Sequence, residues 1–564
     1  MIRNPAKPLQ LLAPACLWLI AGQALAQEGS RSNLPPGLVT ASYDHPGGIP
    51  SPAQFEASGT RIGEIRIRSR NVFDTSIPAE DTALFRLADR LHMQTRESTI
   101  RDQLLIQEGE PYRETSVAES ERILRGTRYL HDASIQPVAW HDGEVDLEVD
   151  TQDVWTLTPG VSFGRAGGEN NFGFKLEELN LLGRGSQLSL GYESGVDRSS
   201  TTLAYRDSQL FGSWWGVHAN FADSSDGGTR EFSLEHPFYS LDARYAAGVS
   251  VLDEERVDSV YDLGQITDQY GTHQRLATIY GGRSRGLSKG WSRRLTSGLT
   301  IDESRFNRID TAEGVTGILP PDRKLVYPWI GYEWVQDKFE TARNLNQIGR
   351  TEDVALGMHA QLKLGYSSEA IGADRNAWIL AARASRGFDI AERHRLMLAW
   401  SFNGRLEGTS MTDGLSSLSA KYYFRESDRG VLYLGASADS GSNLDLDHAV
   451  ELGGENGLRG YPLRYQRGEG RWLVTAEQRL FTDWYPFRLF NVGAAAFFDM
   501  GRTWGANPAG TPSQGVLKDV GLGLRLGNSR SALGNVLHVD VAFPLDGDPS
   551  IKKVQFLIET HRSF

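Results

Sequence analysis

Cysteine is nearly absent: Cys16 is the only one in 564 residues. It lies in an apolar N-terminal stretch, so disulfides and thiol chemistry are excluded from the rest of the chain. Positive charge is in deficit, with 59 Lys+Arg against 71 Asp+Glu and a formal net charge of −12. That balance argues against a nucleic-acid partner, which would call for a basic patch. Long hydrophobic runs are missing too. Beyond the N-terminus no stretch approaches the ~20 apolar residues of a spanning helix. The 12 histidines show no metal-ligand spacing. No Gly-x-Ser-x-Gly, phosphate-binding loop or zincin motif occurs, so neither an enzyme nor a metal or cofactor is expected. Asn443-Leu444-Asp445-Leu446-Asp447 offers oxygens for calcium but lacks the glycine and distal glutamate of an EF-hand loop.

Glycine is abundant, at 61, with 19 Tyr and 13 Trp; this favours turn-rich β structure with interfacial aromatics. A mean hydropathy of −0.38 looks soluble in bulk, yet alternating strands of a membrane barrel dilute the apolar signal in the same way.

Residues 1–26 read as a secretory signal. Arg3 and Lys7 supply the charged start, Leu11 to Ala21 the apolar stretch, and Ala24-Leu25-Ala26 the small-residue cleavage site. Leu17-Trp18-Leu19-Ile20 carries the apolar run past Cys16, which argues against lipidation there. Residues 27–60, with Leu34-Pro35-Pro36-Gly37 and His45-Pro46-Gly47-Gly48, hold little apolar surface to offset ordering entropy and read as a flexible leader.

Residues 61–152 read as a small α/β unit. Ile62, Ile65 and Ile67 open it with a strand. In Asp81 to Leu91 the residues Leu84, Leu87, Ala88 and Leu91 fall at i, i+3, i+4 and i+7, which predicts an amphipathic helix burying them. Ser98 to Ile106 predicts a second helix, stopped by Gly109-Glu110-Pro111. A third is expected from Ser116, where Ser116-x-x-Glu119 has capping-box spacing. Two strands, Ala133 to Trp140 and Val145 to Val149, close the unit around an Asp142-Gly143 turn.

From residue 153 to 564 the chain is almost wholly period-two segments between Gly, Asn, Asp and Ser. Leu188, Leu190 and Tyr192 alternate with Gln187, Ser189 and Glu193. Val520, Leu522, Leu524 and Leu526 alternate with Gly521, Gly523 and Arg525. A soluble sandwich rarely continues so far as one unit; with a secretory signal the expectation is an antiparallel transmembrane barrel, which must close to leave no strand edge in lipid. The tally reaches about 20 strands at the length that barrels use.

Within this run Gly453-Gly454-Glu455-Asn456-Gly457-Leu458-Arg459-Gly460-Tyr461-Pro462 is a glycine-dense loop carrying one cation. Strand phase then places Glu477 and Asp499 on the inward face of the next two strands. A shielded ion pair would make a folded-in loop costly to release.

These residues resemble the BamA/TamA superfamily of outer-membrane barrels with periplasmic polypeptide-transport-associated (POTRA) domains. Leu458-Arg459-Gly460-Tyr461 resembles its invaginated-loop signature, and Phe497-Phe498-Asp499-Met500-Gly501 its barrel-wall motif; Glu477 is similar to a less specific acidic partner. Gly109-Glu110-Pro111-Tyr112 and Arg128-Tyr129-Leu130 resemble POTRA signatures, with Asp81–Leu91 as an insertion. Terminal Phe564 resembles the aromatic by which barrel-assembly machinery recognises its clients.

The resemblance implies sixteen strands, an Arg459–Asp499 loop lock with Gly460, Tyr461 and Glu477, and a bacterial outer-membrane location with POTRA domains in the periplasm; the family's members usually carry several, whereas this chain shows a single POTRA unit. It implies a role in assembly, insertion or translocation of unfolded polypeptides. The unit would capture clients by strand addition, and the barrel would open between its first and last strands. The alternatives are a two-partner-type secretion pore for a dedicated substrate, or a passive channel or structural barrel.

Overall fold

The computed structural model describes residues 49–309, 319–507, 511–531 and 536–561. The expected signal, residues 27–48 of the leader and Phe564 lie outside them.

Twenty strands, from Leu157–Ala166 to Gln555–His561, close into one barrel. Each pairs antiparallel with its neighbours in chain order, and the last strand returns to the first. The expectation of sixteen is therefore corrected to twenty, the number that the alternating segments reach when each is counted. Motifs near the C-terminus place no limit on how many hairpins precede them. Strands Tyr245–Asp262, Gln265–Ser288 and Trp291–Arg308 have 18, 24 and 18 residues, well beyond the ~10 that a bilayer crossing takes. Large apolar side chains are exposed at alternate positions along the wall: Phe172, Phe174 and Leu176, then Leu188, Leu190 and Tyr192, then Leu522 and Leu524. A wall apolar on its outer face and lined with small or polar residues within suits lipid outside and solvent inside.

The N-terminal unit follows the expected order of strand, helices, strand, strand. Strand β1 (Arg61–Arg70) is followed by helices and then by β2 (Leu130–His141) and β3 (Glu144–Asp153). The sheet runs β1-β3-β2, with β1 parallel to β3, so the intervening helices make the crossover that parallel pairing requires. Ile62, Ile65, Ile100, Leu124, Leu147 and Val149 form its buried core.

Four local expectations are corrected. Helix α1 (Pro52–Ser58) lies within the stretch read as leader, because Phe55 is fully buried 5.2 Å from the Tyr112 ring. Helix α2 (Ala83–Leu91) forms, but Leu84, Leu87 and Leu91 are exposed. It docks instead through Phe85, stacked 4.1 Å from Phe73, with Ala88, Trp155 and Leu489 nearby. Tertiary contact, not the widest apolar stripe, chose the buried face. Helix α3 (Glu97–Arg101) has five residues and ends short of Ile106, although Leu104 and Ile106 are buried. Helix α4 (Glu114–Gly126) begins two residues before Ser116, with Arg113 at the N-cap, so no capping box forms. Glu119 accepts the Leu241 N–H at 2.9 Å and thereby ties the unit to the barrel.

Two further ties join unit and barrel. Arg125 grips Asp353 with two hydrogen bonds of 2.9 and 2.7 Å. Arg530 donates to the Val72 carbonyl at 2.7 Å and pairs with buried Glu80.

Candidate functional site

The connection from Ser442 to Gly470 turns inward. Its neck is a short antiparallel ladder, Val450–Leu452 with Gln466–Gly468, and beyond the neck the glycine-dense segment lies against the inner wall. Gly457 has φ +120°, where a side chain would be strained. A Cβ on Gly460 would stand 2.7 Å from Asp519 Cβ and 3.1 Å from the Pro544 nitrogen, so only glycine lets the loop approach the wall. Leu458 and Tyr461 are fully buried with Leu452, Tyr465 and Leu517. The Tyr461 hydroxyl lies 2.8 Å from the Lys518 carbonyl and accepts the Lys518 N–H at 3.1 Å. The tyrosine thus seats the loop on a strand that the arginine does not reach.

Arg459 meets Asp499 side-on, with Nε 2.7 Å from Oδ2 and Nη2 3.0 Å from Oδ1. Its Nη1 lies 3.0 Å from Glu477 Oε2 and 3.4 Å from Asp540 Oδ2. The guanidinium carbon is 3.3 Å from the Phe497 ring centroid, so the cation is sandwiched between carboxylates and an aromatic face. Around it the charges alternate. Arg479 donates to Glu477 at 2.9 Å; Arg525 pairs with Asp540 and lies 3.6 Å from Glu477. The side chains of Glu477, Asp499, Asp540, Arg479 and Arg525 are each no more than 5 % exposed. Removing one member of such a cluster strands its partners' charge, at a cost of about 3–5 kcal/mol.

Arg459, Gly460, Tyr461, Asp499 and Glu477 are thus brought together, while Phe564 lies outside the described residues. Four members were not singled out in the sequence: Arg479, Arg525, Asp540, and Asp519, which stands opposite Asp499 across the strands. The signal was available. All four share the inward phase of their strands, where a charge amid Gly and Ala is out of place unless something answers it. The run Asn443–Asp447, weighed for calcium, instead meets cations. Asp445 and Asp447 bind Arg323 at 2.7 and 3.1 Å, Asp445 also binds Arg405 at 2.8 Å, and His448 bonds Asp413 at 2.7 Å.

No protein-family model and no curated protein matches the chain. Among solved structures, BamA from Haemophilus ducreyi lacking POTRA domains 1–3 is similar at 14% identity and a TM-score of 0.38, over 88% of this chain and 84% of that one. CdiB from Acinetobacter baumannii gives 15% and 0.42 over 89% and 74%. CdiB from Escherichia coli gives 14% and 0.44 over 89% and 76%. Likeness at these values assigns no role to this chain.

Proposed function

We propose that the chain is an outer-membrane barrel that inserts or translocates polypeptides, with the N-terminal α/β unit serving as a periplasmic POTRA-like capture domain. The observation that carries this reading is the pinned loop beside a thinly paired seam. Among the described residues, Ile558 opposite Arg165 is the one register pair between last and first strands, whereas the neighbouring pair of strands matches seven positions from Val536↔His561 to Ala542↔Gln555. A wall that is rigid beside its seam and weak at it can part there while the loop keeps the flanking strands in register. Parted strands offer edges on which a client can nucleate.

Capture would use the outer edge of β2. Glu121 accepts the Ile135 N–H at 2.7 Å, and Arg125 donates to the Ala133 carbonyl at 3.0 Å. Pro137 has no N–H to offer, so the accessible stretch begins at Val138, where Val138 and Trp140 are exposed. The exposed apolar wall supports the membrane setting, and the ties at Arg125 and Arg530 support a unit held at the barrel mouth.

Photo-crosslinking in cells from positions 138 and 140, and from the seam strands, tests the reading. Many barrel polypeptides captured at both places is the expected result for an assembly factor, and one recurrent polypeptide would mark a dedicated secretion pore. Passage of small solutes with no polypeptide captured would overturn the reading in favour of a channel.

A further inference from the structure

The other connections at the domain end of the barrel are short, from two residues at 289–290 and 392–393 to eight at 237–244. Residues 337–358 break that pattern. They form a hairpin, Phe339–Arg343 paired with Thr351–Ala355, whose tip turns into the lumen. The tip is internally braced: the Glu352 carboxylate accepts the N–H groups of Leu345, Asn346 and Gln347 at 2.9–3.1 Å. Asn344 and Gly349 both take left-handed backbone angles, and the Asn344 side chain accepts the Gly349 N–H at 2.8 Å.

The inner wall receives this tip with matched groups. Arg479 donates to the Leu345 carbonyl at 3.0 Å, Tyr423 to Asn346 at 2.9 Å and Asn491 to the Ile348 carbonyl at 3.2 Å. Leu345, Ile348, Val354 and Leu356 are buried against Tyr423, Phe481 and Val536. Two wall glycines make room: the Gly387 N–H reaches the Leu356 carbonyl at 3.2 Å, and a Cβ on Gly527 would stand 3.1 Å from Ile348 Cβ. From below, the N-terminal unit holds the hairpin up. Arg125 grips Asp353, Thr351 donates to Asp132 at 2.9 Å, and Arg350 donates to the Leu130 carbonyl at 3.1 Å. Beside these contacts a cavity of about 1310 Å³ runs between the unit and the barrel, bordered by Arg128, Gln347, Asp353 and Lys421.

We propose that residues 337–358 are a plug that narrows the domain end of the barrel on its late-strand side, latched in place by the N-terminal unit and withdrawn when that unit moves. The inference rests on reading the chain as a membrane barrel. It adds a gate and assigns the capture unit a second task. The latch is three polar contacts, whereas the seat adds a buried apolar surface to its hydrogen bonds, so domain displacement removes the support first. Arg479 contacts both the tip and Glu477 of the loop cluster. The plug and the pinned loop therefore share one cation, and withdrawal of the plug frees a donor beside the lock.

The test is conductance of the full-length protein in planar bilayers. Asp353→Ala with Thr351→Ala unlatches the plug and is expected to raise conductance severalfold over the wild type. Ile348→Cys with Gly527→Cys is added to this unlatched protein; their Cβ positions, 3.1 Å apart, need to part by only a few tenths of an ångström to reach disulfide spacing, and Cys16, in the expected signal, is the only other thiol. Oxidation is expected to return conductance to the wild-type level, and reduction to restore the rise. The same molecules are compared before and after reduction, so a folding defect cannot produce the difference. Equal conductance in both redox states overturns the plug. Crosslinking of clients from position 138 is read in parallel. Captured polypeptide with redox-blind conductance sinks the plug alone, and switching conductance without captured polypeptide sinks the client reading alone.

Discussion

The early and late strands of the barrel share one backbone pattern and differ in what their inner faces meet. In Ser186–Ser194, Ser199–Asp207 and Gly216–Ser224 only Ser186 is buried. In Phe490–Trp504 every inward residue from Asn491 to Thr503 is buried, Asp499 completely. The early strands face open lumen with small and polar residues, among them Gln187, Ser189, Arg206 and His218. The late strands are packed from one end by the pinned loop and from the other by the hairpin 337–358, and their charges, save Asp519 opposite Asp499, are answered by opposite ones. Closure alone does not make a wall rigid. Filling it does, and the late strands are filled where these early ones are not.

The largest effect that would test the contrast is at Arg459. Arg459→Ala is expected to cost about 3–5 kcal/mol in barrel stability, since Asp499 and Glu477 lose their cation. Arg459→Lys keeps the charge but loses the fork and should also be impaired. Asp499→Ala should match Arg459→Ala, with the double variant no worse than either. Urea titrations of the folded band, read from its heat-modifiable mobility, measure this, and additive losses would remove the lock. A smaller loss is expected from Gly460→Ala, about 1–3 kcal/mol, because a methyl there overlaps Asp519; an unchanged midpoint would mean that the loop does not press on the wall.

A third test moves to the root of the open side, where Asp153 leads into the first barrel strand. Burial pushes the Asp153 carboxyl up to about 7, despite two hydrogen bonds from Thr95. Burial also pulls His92, 3.8 Å away, down to about 4. The raised Asp153 contributes stability that is complete below its ordinary value of 3.8 and is lost as pH rises through about 7. The depressed His92 contributes stability present above 6.5 and lost as pH falls through about 4. Between roughly pH 4 and 6.5 the two slopes oppose each other, at up to about 1.4 kcal/mol per pH unit each. Asp153→Asn should therefore make the unit more stable with rising pH, and His92→Gln less. Hydrogen exchange of the β3 amides across that range reports the sign, and identical profiles for both variants would show that neither group is shifted. The smallest effect belongs to the open wall itself. Lys175, half exposed and 3.1 Å from Glu177, should lose no more than about 1 kcal/mol on replacement by Ala. A loss equal to that of Arg459 would erase the distinction between the two regions.

Much of this was legible in the chain. Alternation located the wall strands, and the phase of Glu477 and Asp499 put them inside with Arg459 as their partner. What escaped was set by contacts distant in sequence. Leu84, Leu87 and Leu91 make the broader stripe of their helix, yet Phe85 found Phe73 and turned that stripe outward. Residues 52–58 looked too polar to fold, but one Phe55 beside Tyr112 is enough to dock a helix of about two turns. Arg525 and Asp540 read as ordinary inward residues because their partners lie on neighbouring strands. The hairpin 337–358 carried no motif; its seat consists of wall glycines, apolar side chains and the donors Arg479, Tyr423 and Asn491, whose meaning depends on what faces them.

The chain-order pairing of the wall bears on how such a protein can change over time. A hairpin inserted between two neighbouring strands widens the ring without rerouting any other connection, provided that strands are added in pairs. The charge cluster draws its members from the last strands and one loop, so growth at the opposite side leaves its distances alone. The bore of this barrel and the machinery beside its seam are therefore separately heritable. Selection can resize the first without rebuilding the second.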